Sequence, residues 1–263
     1  MRHWTSAFML CLGAASAYAQ GVPGTNLVVD TRVAAVSNRA DTVQVGYVLW
    51  NRPDSREPLF TFTVDAPGGV LSVPSPQPPA HWRTSTSYRG RPVAKWTVLA
   101  DELSPGARSP ELYFAAVGLP GIVSSWIRGY VPPAPLTSAD TNPLAGPSDP
   151  LVENSIRTTT VGVVPRPADT TSAGLTARLR FLADRSCSTL RWITSQGVCN
   201  SLRVRLDRVA ASVAADRREA AAGELRAFVQ ELEAQHGPRP GKHVGDHAYW
   251  LLRVNAEYLL GRL

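Results

Sequence analysis

Apolar and polar residues alternate with period two through much of the first 165 positions. From Thr42 to Trp50, Val43, Val45, Tyr47 and Leu49 take one face and Gln44 and Gly46 the other. Leu59 to Val64 repeats the pattern, with Phe60, Phe62 and Val64 against Thr61 and Thr63. Positions 26–37 are β-branched and partly alternating, and further candidates are Gly69 to Val73, Val93 to Leu99, Glu111 to Val117, Val123 to Tyr130 and Ile156 to Val164. Each run is short and bounded by Pro, Gly, Asp or Asn, which reads as a strand between turns. About eight such strands predict an antiparallel β-sandwich with one buried face per sheet. Its expected core is Val43, Val45, Tyr47, Phe60, Phe62, Trp96, Leu112, Phe114 and Trp126. The irregular piece Val131 to Pro150 holds six prolines and is expected to cross between sheets or wrap an edge.

After Pro165 and Pro167 the period changes to 3.6, and Ala, Arg and Leu take over. Leu175, Leu179 and Leu182 mark a helix over Thr171 to Ala183. Leu202, Leu206, Val209 and Val213 mark a second, and Leu225, Phe228, Val229 and Leu232 a third, which ends at His236-Gly237-Pro238. A fourth begins near Val244 and carries Ala248, Leu251, Leu252, Asn255 and Leu259. Amphipathic stripes of this kind bury one another, so a small helical bundle is expected over residues 166–263, behind a Pro-containing boundary near Arg166. The fold class is therefore mainly β plus α. The chain's 263 residues, 44% of them hydrophobic and 18% charged, suffice for one large core or two small ones and exclude a disordered chain.

The N-terminus changes how the cysteines read. Arg2 supplies a positive start, Ala7 to Ala17 an apolar run, and Ala17-Tyr18-Ala19 a small-x-small cleavage pattern. A signal peptide is expected over residues 1–19, with export through the Sec pathway to the periplasm, cell surface or medium. The run is too short to span a bilayer, and no later stretch is longer, so no transmembrane segment is expected. Cys11 leaves with the leader, and the mature chain keeps Cys187 and Cys199, twelve positions apart. In an oxidising compartment such a pair is most simply a disulfide.

Cys199-Asn200-Ser201-Leu202, Leu206, Ala221, Leu225, Phe228, Glu231-Leu232-Glu233-Ala234-Gln235 and the terminal Ala256-Glu257-Tyr258-Leu259-Leu260 form one recognisable run. It resembles the FIMAH domain, a small helical module of secreted and surface-associated bacterial proteins, over roughly residues 190–263. The resemblance implies an appended extracellular module without established catalysis, and it carries no active-site residues over. The N-terminal part resembles no nameable family.

Motifs for several chemistries are missing from the sequence. It has no GxSxG elbow, no SxxK pair, no phosphate loop and no dinucleotide fingerprint. The acids Asp54, Glu57, Asp65, Asp101, Glu102 and Glu111 lie mostly at turns, where solvated carboxylates are expected rather than a glycosidase pair. His243 and His247 are spaced i, i+4 and, if both are helical, could share a Zn²⁺ with Asp246 or His236. Gly241 and Gly245 flank them, however, which equally fits His243 in the loop before the helix. No calcium loop is present. Trp82, Tyr88 and Arg89 stand out in the polar stretch His81 to Tyr88. They read either as a ligand contact or as a loop anchor packed over a sheet edge.

The formal net charge of +6 falls to +5 once Arg2 is removed with the leader. Much of the excess sits in Arg178, Arg180, Arg185, Arg191, Arg203, Arg205 and Arg208, a broad basic surface that could attract an anionic partner. The expectation is a non-catalytic exported protein: a binding or scaffolding sandwich with an appended helical module, contacting an envelope or extracellular polymer or protein. No cofactor and no nucleic-acid partner are expected. Two alternatives stand beside it, a secreted metal-dependent or carboxylate hydrolase and adhesion to an anionic surface through the helical arginines.

Overall fold

The computed structural model describes residues 26–39, 41–75, 81–98, 103–130 and 155–263. Among them, eight strands precede four helices. The strands are β1 (Val29–Arg39), β2 (Thr42–Asn51), β3 (Leu59–Asp65), β4 (Trp82–Tyr88), β5 (Arg91–Val98), β6 (Leu112–Val117), β7 (Leu119–Gly129) and β8 (Ile156–Val164). The helices are α1 (Ser172–Cys187), α2 (Gln196–Ala214), α3 (Arg218–Gln235) and α4 (Asp246–Leu260). The strands form two antiparallel sheets, of order β1-β2-β6 and β4-β5-β3-β7-β8. The leader expected over 1–19, its cleavage point after Ala19 and the crossing piece from Val131 to Pro150 lie outside the described residues.

The sheets meet through their alternating apolar faces. Tyr47 of β2 sets its ring edge-on to Phe62 of β3 at 5.3 Å and to Trp96 of β5 at 6.1 Å, and stacks on Phe114 of β6 at 6.3 Å. All four are fully buried. The Tyr47 hydroxyl donates to the Val161 carbonyl of β8 at 2.5 Å, which satisfies the phenol inside the core. Burial pushes the Tyr47 pKa well up. Strand β6 leads into β7 in the other sheet through the single residue Gly118, at φ +150°. A Cβ there would stand 2.1 Å from the Val164 carbonyl oxygen, so only glycine lets the chain change sheets at this point.

Four expectations change. Gly69 to Val73 is not a strand: it makes only a bridge between Ser72 and Ala115, and Leu71 is exposed. The stretch from Trp82 to Tyr88 is not a loop but the edge strand β4, closed onto β5 by Arg89 (φ 48°) and Gly90 (φ 79°), the positive-φ pair of a type I′ turn. Phe60 is only half-buried and packs edge-on against Tyr130. The β3–β7 register slips between Leu59 and Thr61, so Leu59 takes the inward place instead. Trp126 is buried but points away from the facing sheet, because it pairs with Thr63, which alternates with the inward Phe62 and Val64.

The helices follow their apolar stripes. Thr171 caps α1 by accepting from the Gly174 amide at 3.1 Å, and Ser195 caps α2 by accepting from Val198. Cys187 and Cys199 are joined by a disulfide, which ties the end of α1 to the first turn of α2. Helix α4 packs on α1 and α3 on one side and on β1, β7 and β8 on the other. Because β1 and β8 are the edge strands of the two sheets, α4 covers the side where both sheets end. Two side chains fasten the helices to the sheet: Asn255 Nδ2 of α4 and Arg178 Nη2 of α1 both donate to the Pro120 carbonyl of β7, at 3.0 and 3.1 Å. Arg32 of β1 adds an ion pair to Asp246 at 2.7 Å.

The sheet crossing is the feature least tolerant of change. Gly118→Ala should destabilise the protein by roughly 3 kcal/mol or more, since it combines a positive φ with a backbone clash. Gly223→Ala, in open space on α3, should leave stability equal or slightly raised. Urea unfolding of the two variants measures both.

Candidate functional site

Sheet register gathers a cationic face that no local stretch of sequence displays. Phe62, Val64, Ala94, Trp96 and Ile127 point into the core, so the residues between them on β3, β5 and β7 point outward. One outward row across the five-stranded sheet reads Arg83, Thr97, Thr61, Arg128. The next reads Ser85, Lys95, Thr63, Trp126, Arg157. Asp65 lies two residues beyond Thr63 and pairs with Arg91 at 3.3 Å, while the Arg91 guanidinium covers the Trp126 ring at 5.3 Å. That cover explains how Trp126 is buried on an outward face.

Among the described residues, the five strands thus place five cationic side chains against one carboxylate on one face. Arg91 has Asp65; Arg157 donates to the Ser124 hydroxyl at 2.9 Å. Among the described residues Arg83, Lys95 and Arg128 have no carboxylate partner, and the buried Arg128 Nε has no hydrogen-bond acceptor. Burial, and then the neighbouring Arg128 charge, hold the Lys95 ammonium below its usual range. The Lys95 Nζ lies over the Tyr88 ring at 5.1 Å, and the Arg89 guanidinium lies 5.8 Å from the same ring. The floor between the cations is made of hydroxyls: Thr61, Thr63, Thr97, Ser85 and Ser124.

Of the three contact residues singled out in the sequence, Tyr88 and Arg89 border this face. Trp82 does not share it. It lies opposite Val98 in register and is half-buried against the apolar core, so it serves as an edge anchor.

The helical arginines behave differently. Arg180 pairs with Asp184 and Asp207, Arg203 with Asp184 at 2.5 Å, Arg205 with Glu231 at 2.7 Å, and Arg208 with Glu224 at 3.7 Å. Arg178 is directed to Pro120. These groups tie helix to helix, or helix to sheet. Of the seven, only Arg185 and Arg191 lack a carboxylate partner or an anchoring hydrogen bond among the described residues.

His243 lies in the loop before α4, where its Nδ1 is 3.4 Å from the Thr194 hydroxyl. His247 sits in the first turn of α4, stacked on Trp192 with 4.9 Å between centroids. Asp246 is engaged by Arg32 and by His236 Nε2 at 2.7 Å, and His236 stacks on Tyr249 at 3.9 Å. His236 and Asp246 thus meet each other while His243 and His247 turn to Thr194 and Trp192, and no group of three or more metal-ligand side chains converges among the described residues. The scattered acids are similarly engaged, Asp54 with Arg52 and Glu111 with Tyr113, whose phenol is pushed up to about 12 mainly by that hydrogen bond. Asp101 and Glu102 lie outside the described residues.

No protein-family model matches the sequence, and no curated protein matches it. Among solved structures, the chain is similar to an inactive mutant of a GH20 exo-β-N-acetylglucosaminidase from Vibrio harveyi. The match is 16% identical, covers 57% of this chain and 22% of that chain, and has a TM-score of 0.28. A likeness of that size carries no argument about this chain. No helix among the described residues is long and apolar enough to cross a membrane.

Burial pushes the His247 pKa down to about 4, against an opposing pull from Asp246. The folded state therefore resists a proton that the unfolded chain accepts near pH 6.5, and stability is fully present above that pH and falls toward pH 4. Between pH 7 and 4.5 the protein should lose about 2 kcal/mol more than His247→Phe, which keeps the stack on Trp192. Denaturant unfolding at the two pH values checks this; equal losses would contradict it.

Proposed function

We propose that the protein is an exported, non-catalytic binding protein whose pleated part is a β-sandwich and whose helices form a small appended bundle, in keeping with the FIMAH-like run. The sandwich holds an anionic envelope or extracellular polymer on the outward face of its five-stranded sheet. One observation carries this reading: among the described residues, cations gather on that face with hydroxyls between them and a single carboxylate, whereas most of the helical arginines are neutralised by their neighbours. A cationic surface that is not neutralised internally attracts a polyanion over about a Debye length and releases its counterions on binding. The adjacent Tyr88 ring adds an apolar surface for a sugar ring. Export agrees with the leader-like N-terminus, the disulfide and the absence of a membrane-spanning helix among the described residues.

The purified protein should bind polygalacturonate and not neutral dextran, with affinity falling on the order of tenfold between low and moderate salt. The triple variant Arg83→Gln, Arg128→Gln, Arg157→Gln should lose most of that affinity, and Arg203→Gln with Arg208→Gln should retain it. Titration calorimetry over a salt series decides. A flat salt response, or loss confined to the helical variant, would overturn the assignment.

A further inference from the structure

A second feature lies where α4 meets the edges of both sheets. A cleft of about 610 Å³ opens there between the start of β1, the paired ends of β7 and β8, and the helices. That volume is in the range of small-molecule sites. Leu27, Ile127 and Ile156 form an apolar wall, and the stacked pair of Trp192 and His247 contributes the helical side. Among the described residues no lysine or arginine lines it, and Asp30 is the one carboxylate.

Polar groups in the cleft lack the partners that similar groups have elsewhere. His236 and His243 meet Asp246 and Thr194, but the His247 ring has no hydrogen-bond partner among the described residues. A neutral imidazole offers one donor and one acceptor. The Thr31 hydroxyl, also lining the cleft, is buried without a partner. A buried hydroxyl left unpaired costs about 1–3 kcal/mol. A ligand carrying its own hydroxyls satisfies both groups, and an apolar flank on it covers the Leu27–Ile156 wall. An anion meets no cation here and faces Asp30.

We propose that this cleft is a binding site for a neutral, hydroxyl-bearing small molecule the size of a sugar unit, held by His247 and Thr31 against the apolar wall. The site is separate from the cationic face and stands whether or not that face holds a polymer. Saturation-transfer NMR at neutral pH tests it on the full-length folded protein. The probes are glucose, galactose, mannose and N-acetylglucosamine, with glucuronate and glucosamine as charged counterparts. At least one neutral sugar should receive saturation, and its signal should fall at least fivefold in both His247→Leu and Thr31→Val. Thr31→Val keeps the β-branched shape of the strand residue and so reports on the hydroxyl rather than on folding. Arg83→Gln, on β4 at the sheet edge farthest from β8, should bind the sugar as the parent does. Absence of transfer to every neutral probe, preference for a charged counterpart, or a signal that survives Thr31→Val would overturn the proposal.

Discussion

The Pro120 carbonyl of β7 accepts from Asn255 of α4 and Arg178 of α1 at once, and this shared acceptor is where the helices are fastened to the sheets. Asn255 is nearly inaccessible to water and also donates to the Leu251 carbonyl one turn earlier, so its amide is held from two directions. A buried amide aimed at a buried carbonyl tolerates little displacement, because separating them leaves both unpaired in a region of low dielectric. Around this point α4 lies along β1 and reaches β7 and β8, while Arg32 meets Asp246 at the helix start. Apolar side chains from both sheets and all four helices join one contiguous buried cluster.

This placement sorts the surfaces. The side where β1 and β8 leave the layers open is covered by α4, with the cleft at Trp192 and His247 as the remaining gap. The outward rows of β4, β5 and β3 carry no extensive helix contact, and the cations gather there. The two parts of the chain are both arginine-rich but use arginine differently. In the helices, acids one or two turns away or on the adjacent helix neutralise most of it, a use that holds elements together. On the sheet, Arg83, Lys95 and Arg128 stand opposite threonine or serine, Arg157 faces Trp126, and of the five cations only Arg91 meets a carboxylate among the described residues.

Much of the fold was legible because one face of most elements is apolar. Strand β8 runs over the residues that its alternation marks, and β2 over all of its own with Asn51 added, since slipping the register would turn Val43, Val45 and Tyr47 outward. The four helices follow from their stripes, and the cysteine pair from its spacing and compartment. Strand β4 was hidden because an edge strand carries polar residues on both faces, so Thr84, Ser85 and Thr86 give no period. Phe60 and Trp126 were misplaced for related reasons. A bulge shifts the first, and alternation alone cannot tell that an outward tryptophan will be covered by Arg91. The cationic face was not legible at all. Its members lie between positions 83 and 157, one or two to a strand, and only cross-strand pairing brings them together. The helical arginines lie within one stretch, 178–208, where a local reading finds them, but ion pairs neutralise most of them.

Amide hydrogen exchange with and without a bound uronate polymer tests the central claim most directly, because it reports where the polymer lies without altering a residue. The account predicts added protection over residues 83–97 and 126–128, with α2 and α3 unchanged. Protection appearing on α1 to α3 while β4, β5 and β7 exchange as before would contradict it.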